Sequence, residues 1–65
     1  MSEREEKFEK MLAFVQRRYA DTLRKMEQLK AEGKTKSATF HQLMGDKLMY
    51  QNILALYNLY GLLEE

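Results

Sequence analysis

A chain of 65 residues has room for one domain and one small hydrophobic core, and small cores leave a thin margin against chain entropy. With no cysteine and a single histidine, neither a disulfide framework nor a structural zinc site can reinforce that core, so self-association is the remaining ordinary route to stability. A composition 45% hydrophobic and 32% charged, with a net charge of +1, excludes a disordered or strongly polyionic chain.

The charges are unevenly spread. Residues 1–36 hold ten Lys and Arg against seven Asp and Glu, whereas residues 37–65 hold only Lys47 against Asp46, Glu64 and Glu65. The N-terminal stretch MSEREEKFEK is dense in charge where a secretory signal needs an apolar run, and with the absence of cysteine this points to the cytoplasm. The most apolar stretch, Leu48 to Leu63, contains Gln51, Asn52 and Asn58 and falls short of the roughly 20 residues of a membrane span.

Proline is absent and the three glycines, Gly33, Gly45 and Gly61, are well separated, so two long helices are the simplest parse. Ser2 followed by Glu5 has the capping-box spacing, and Glu3, Glu5, Glu6 and Glu9 set negative charge near the positive end of the first helix dipole. From there Phe8, Leu12, Val15, Tyr19, Thr22, Met26 and Leu29 alternate spacings of four and three, a heptad seam, with Met11 and Leu23 widening it. Glu6 with Lys10, and Asp21 with Lys25, are expected to pair on the wet side at about 0.2–0.5 kcal/mol each.

Lys30, Gly33 and Lys34 predict the helix stop, because cations suit the negative end and glycine accepts the left-handed cap conformation. Gly33-Lys34-Thr35 resembles the end of a phosphate-binding loop, but that loop needs a glycine where Gln28 stands, so the segment reads as a linker. The second helix can be capped by Ser37, or by Thr39 with Gln42.

Two seams run along this second helix. One holds Met49, Ile53, Leu56, Tyr60 and Leu63; the other holds Phe40, Leu43, Tyr50, Leu54 and Tyr57, interrupted by Lys47. A hairpin covers one of them, and a helix apolar around most of its circumference is buried on several sides, so a second chain should cover the other. Gly45 is expected to mark a bend or a close helix crossing, because glycine costs roughly 1 kcal/mol against alanine inside a helix. Gly61 is expected to let the last turn end.

The expected fold is therefore all-α: one domain over residues 1–65, an antiparallel helical hairpin that dimerises into a four-helix bundle. The first helix should span about 3–32, the loop about 33–37 and the second helix about 38–61. Phe8, Leu12, Val15, Tyr19, Met26, Leu29, Met49, Ile53, Leu56 and Tyr60 are assigned to the core and dimer interface. Phe40, Leu43, Tyr50, Leu54 and Tyr57 are assigned to a face for a protein partner.

No residue constellation points to catalysis or to a metal, cofactor or small-molecule substrate. His41 lies one helical turn from Ser37, but no orienting carboxylate accompanies that dyad and a hairpin of this size offers no enclosing pocket. Tyr19, Tyr50, Tyr57 and Tyr60 all fall on apolar seams, where the ring packs and the hydroxyl reaches the rim.

Phe14 is the exception in the first helix. It lies off the seam, within an outer stripe that includes Lys7, Lys10, Arg17, Arg18, Asp21 and Lys25. Such a stripe is either a solvated face or a surface whose cations hold phosphates while the aromatic stacks on a base.

The residues Met11, Phe14, Val15, Leu23, Lys25, Met26, Leu29 and Ala31 resemble the first helix of the plasmid-encoded repressor-of-primer family. That resemblance, over about a third of the chain, implies a helical hairpin that dimerises into a four-helix bundle and binds a pair of kissing RNA hairpins. It also implies an RNA face of Lys10, Phe14, Arg18 and Lys25. Glu3 departs from a family lysine, and the second helix does not follow the family's simpler polar and small-residue pattern.

The function expected from these residues is that of a non-enzymatic homodimeric adaptor or regulator, acting by protein–protein interaction through the apolar seams of the second helix. An RNA-binding regulator and a purely structural self-assembling bundle are the alternatives. The expected partners are a second copy of the chain and another protein, with RNA the alternative ligand.

Overall fold

The computed structural model describes residues 3–61 as two helices, α1 (Glu3–Ala31) and α2 (Ala38–Leu59), folded back on each other as a hairpin. Ser2 of the expected capping box and Leu63 of the second seam lie outside the described residues. Glu3, Glu5 and Glu6 occupy the first turn of α1, complementing its dipole. Among the described residues no helix is long and apolar enough to cross a membrane.

The reversal of the chain is built by local chemistry. Gly33 takes a φ of +72°, its N–H donates to the Lys30 carbonyl at 3.0 Å, and the Lys34 N–H donates to the Leu29 carbonyl at 2.8 Å. These crossed bonds are a Schellman cap, which satisfies the last carbonyls of α1 and needs a residue without Cβ strain at its left-handed position. Four residues later Ser37, extended at φ −74° and ψ 156°, caps α2: its Oγ accepts from the Phe40 N–H at 3.1 Å and donates to the Lys34 carbonyl at 2.8 Å. Ser37, not Thr39, is the cap.

The seam of α1 faces α2. Val15, Thr22 and Met26 are buried, while Leu12, Tyr19 and Leu29 are half-buried. Against them α2 sets Phe40, Tyr50 and Tyr57, all buried, with Leu43 and Leu54 half-buried between. This corrects the expectation that Phe40, Leu43, Tyr50, Leu54 and Tyr57 would meet a protein partner: their heptad spacing closes the hairpin itself. The Phe8 and Tyr57 rings pack at the open end, centroids 5.2 Å apart and tilted by 59°.

Two smaller expectations also change. Asp21 pairs with Arg24 three residues on, and no Asp21–Lys25 or Glu6–Lys10 pair forms among the described residues. Gly45 neither interrupts α2 nor allows a close crossing within the chain, since a Cβ placed there meets nothing within 4 Å. At the far end Tyr60 and Gly61 leave the helix, Gly61 with a φ of +73°.

Candidate functional site

Neighbouring residues on a helix are rotated by about 100°, so the exposed Arg18 stands at the edge of the α1 seam beside its member Tyr19, and the exposed Gln51 at the edge of the α2 seam beside its member Tyr50. Both pairs bridge the helices. Arg18 Nε donates to Tyr50 Oη at 3.4 Å along one edge, and Gln51 Nε2 donates to Tyr19 Oη at 3.0 Å along the other. The hairpin thus has two distinct faces, one on each side of its closed seam.

The first face carries the Met49, Ile53, Leu56 and Tyr60 stripe of α2. Ile53 is half-buried, whereas Met49, Leu56 and Tyr60 are exposed, Leu56 at 58% and Tyr60 at 74%. Phe8 and Met11 of α1 join Ile53, Leu56, Tyr57 and Tyr60 around an apolar groove of about 290 Å³. None of these residues supplies a charge.

On the same edge of α1, at helical spacing from Met11, lie Phe14, Arg18 and Lys25. Phe14 is 51% exposed, and the Arg18 guanidinium carbon sits 5.8 Å from its ring centroid. That is within cation–π reach. Lys10 and Lys25 are exposed and make no ion pair among the described residues. The hydrogen bond with Tyr50 holds Arg18 in its charged form, raising its pKa from an already high value. The four residues of the expected RNA face are therefore on the surface, but Arg18 is tied to α2.

The second face lies outside both expected seams. Met44, Leu48 and Leu59 are exposed on the side of α2 across from the first stripe. Their helical spacings of four and eleven are the signal in the sequence that marks them as one row. Near the loop a groove of about 490 Å³ opens on this side, with Leu23, Met26, Phe40 and Met44 on its walls and Glu27, Lys30, Thr35 and Lys47 as its polar lining.

Elsewhere the chemistry is sparse. Ser37 Oγ is engaged in capping and His41 is exposed, with no hydrogen bond between them, so the dyad suggested by their spacing is not assembled. No three His, Asp or Glu side chains converge among the described residues. Comparison with known proteins gives no match: no family model, no curated protein and no solved structure aligns significantly with this chain.

Proposed function

We propose that the chain is a non-enzymatic helical adaptor whose working unit is a homodimer, formed by pairing the first faces of two hairpins into a four-helix bundle. The observation that carries this reading is the continuous apolar strip of Met49, Ile53, Leu56 and Tyr60, left outside the core of the hairpin and extended by Phe8 and Met11. A compact monomer of 7.8 kDa exposes about 4,400 Å², by the usual scaling of surface with mass. This chain exposes 5346 Å². The excess is on the order of the 800 Å² that each partner contributes to a standard interface.

The core itself supports the same reading. Five apolar residues are buried, and no large side chain among the described residues is fully shielded from solvent. A two-helix unit this open gains stability by covering more apolar surface. Light scattering tests the proposal: a dimer is expected at micromolar concentration, and Leu56→Asp should dissociate it while leaving the hairpin seam intact. A wild-type monomer with a concentration-independent Tm would refute it.

A second reading, RNA binding through the basic and aromatic edge of α1, is favoured by the exposed Phe14 ring beside the Arg18 guanidinium and by the unpaired Lys10 and Lys25. A purely structural bundle is less favoured, because pairing of the first faces leaves Met44, Leu48 and Leu59 uncovered on the second.

A further inference from the structure

The sequence places a lysine where the α2 seam calls for an apolar residue. Lys47 falls between Leu43 and Tyr50, on the helical row that closes the hairpin, and is half-buried there. It lines the groove together with Leu23, Met26, Phe40 and Met44, and a lysine at such a place can pack its stem on apolar surface while its ammonium reaches outward. Nearby, Lys30 pairs with Glu27 at 3.4 Å and Lys34 with Glu32 at 3.4 Å. Lys47 and Lys36 make no ion pair among the described residues. The loop end therefore has a groove whose lining holds one Glu27–Lys30 ion pair and, at its edge, one lysine, Lys47, with no ion-pair partner among the described residues.

We infer that this groove receives an amphipathic helix of another protein, its apolar side chains seated against Leu23 and Met44 above the buried Met26 and Phe40, and a flanking carboxylate paired with Lys47. The inference rests on the adaptor reading, for which it supplies the partner's chemistry. The exposed Met44 on the wall suits the task, because an unbranched thioether side chain adjusts to the shape of an incoming helix. Charge complementarity at the ammonium of Lys47 selects for acid, since an apolar helix without one would leave that charge unpaired at a drying interface.

A second copy fits the groove poorly. The apolar seam of its α1 is occupied by its own α2, and the exposed strip of α2 carries one carboxylate among the described residues, Asp46, which already accepts a hydrogen bond from Gln42 at 3.3 Å. A nucleic acid would meet mainly apolar walls, and a flat membrane surface does not enter a groove between helices.

The test uses the full chain and two synthetic amphipathic helical peptides, alike in a leucine face at helical spacing but flanked by glutamates in one and lysines in the other. Fluorescence anisotropy should show saturable binding of the glutamate peptide and little of the lysine peptide. Lys47→Glu should weaken the glutamate peptide by about tenfold or more and strengthen the lysine peptide, a reversal that general loss of structure cannot produce. Lys47→Gln, which keeps the stem and removes the charge, should weaken the glutamate peptide alone.

Equal binding of both peptides, no binding of either, or indifference of the glutamate peptide to Lys47→Glu overturns the inference. So does loss of the dimer in Met44→Asp with helicity retained, because the second face would then be the self-association surface. Scattering on the same samples separates this from the dimer proposal: peptide binding by a monomeric wild type would sustain the groove and remove only the dimer.

Discussion

Arg18 Nε lies 3.4 Å from Tyr50 Oη, so a cation on the exposed side of α1 is held by a phenol whose ring is buried in the seam. Tyr57, two helical turns later, is buried to a similar degree, yet its hydroxyl has no hydrogen-bond partner. The two hydroxyls differ in what deleting them removes. Tyr50→Phe should cost up to about 0.5–1 kcal/mol by chemical denaturation and should loosen Arg18 from α2. Tyr57→Phe should be neutral or stabilising by about 1 kcal/mol, because it deletes a buried polar group that has nothing to satisfy it. Destabilisation by Tyr57→Phe comparable to that of Tyr50→Phe would mean that its hydroxyl acquires a partner on association.

The Arg18 bond should contribute no pH dependence over the range in which the protein is handled. Its pKa is raised by Tyr50, so the contribution is complete below the unfolded-state value and is lost only as pH rises through the still higher folded value.

Phe40 anchors the loop end of the seam. It is buried, follows directly from the Ser37 cap, and its own N–H is the donor to that cap. Phe40→Ala should cost about 3–5 kcal/mol by loss of burial and creation of a cavity, a large share of the stability of so small a domain. Circular dichroism with urea should show a lowered midpoint or a chain largely unfolded without denaturant. A change below about 1 kcal/mol would place the core along the Met49 to Tyr60 strip instead.

Much of the hairpin is legible in the sequence because its signals are local. The heptad spacing of Phe8 to Leu29, the glycine at 33 and the serine at 37 each constrain a few successive residues, and the structure uses all three. The choice between the two seams of α2 is not legible. Both have helical spacing and comparable apolar content, and they differ only in which one α1 meets, which depends on the rotation of the helix set by the turn. Lys47 argues against the seam that in fact closes the hairpin, since a charge is unfavourable in a core; the half-buried position at the edge of a groove resolves that conflict. Placing Phe14, Arg18 and the Met49 strip on one face likewise requires both helices at once.

Gly45 offers an independent view of association. Inside the single chain it lies on an exposed part of α2 with open space where an alanine methyl would sit, so nothing in the hairpin requires glycine there. Gly45→Ala should therefore raise helix stability by about 0.5–1 kcal/mol, seen as a higher Tm at low concentration. If the same variant has a weaker dimer, the added methyl group collides with the second copy, and Gly45 marks where the two hairpins approach most closely.

Phe14 discriminates between the two proposed uses of the first face. It is half-exposed beside Arg18, on the edge where an α1 stripe of cations adjoins the apolar strip of α2. Under the RNA reading, Phe14→Ala should leave helicity and dimer mass unchanged and weaken binding to a loop-paired RNA by about 1–3 kcal/mol, the scale of one base–aromatic stack. Lys25→Ala should weaken the same binding and flatten its dependence on salt, because binding with one phosphate contact fewer releases fewer counterions. Under the adaptor reading the ring is part of the rim between paired hairpins. Phe14→Ala should then raise the dimer dissociation constant without any RNA present, since truncating an aromatic at an interface removes apolar burial that helix propensity cannot replace. The absence of salt-sensitive RNA binding by the wild type, together with a weakened dimer in Phe14→Ala, would assign this edge to self-association. Intact dimer mass with weakened RNA binding would assign it to nucleic acid.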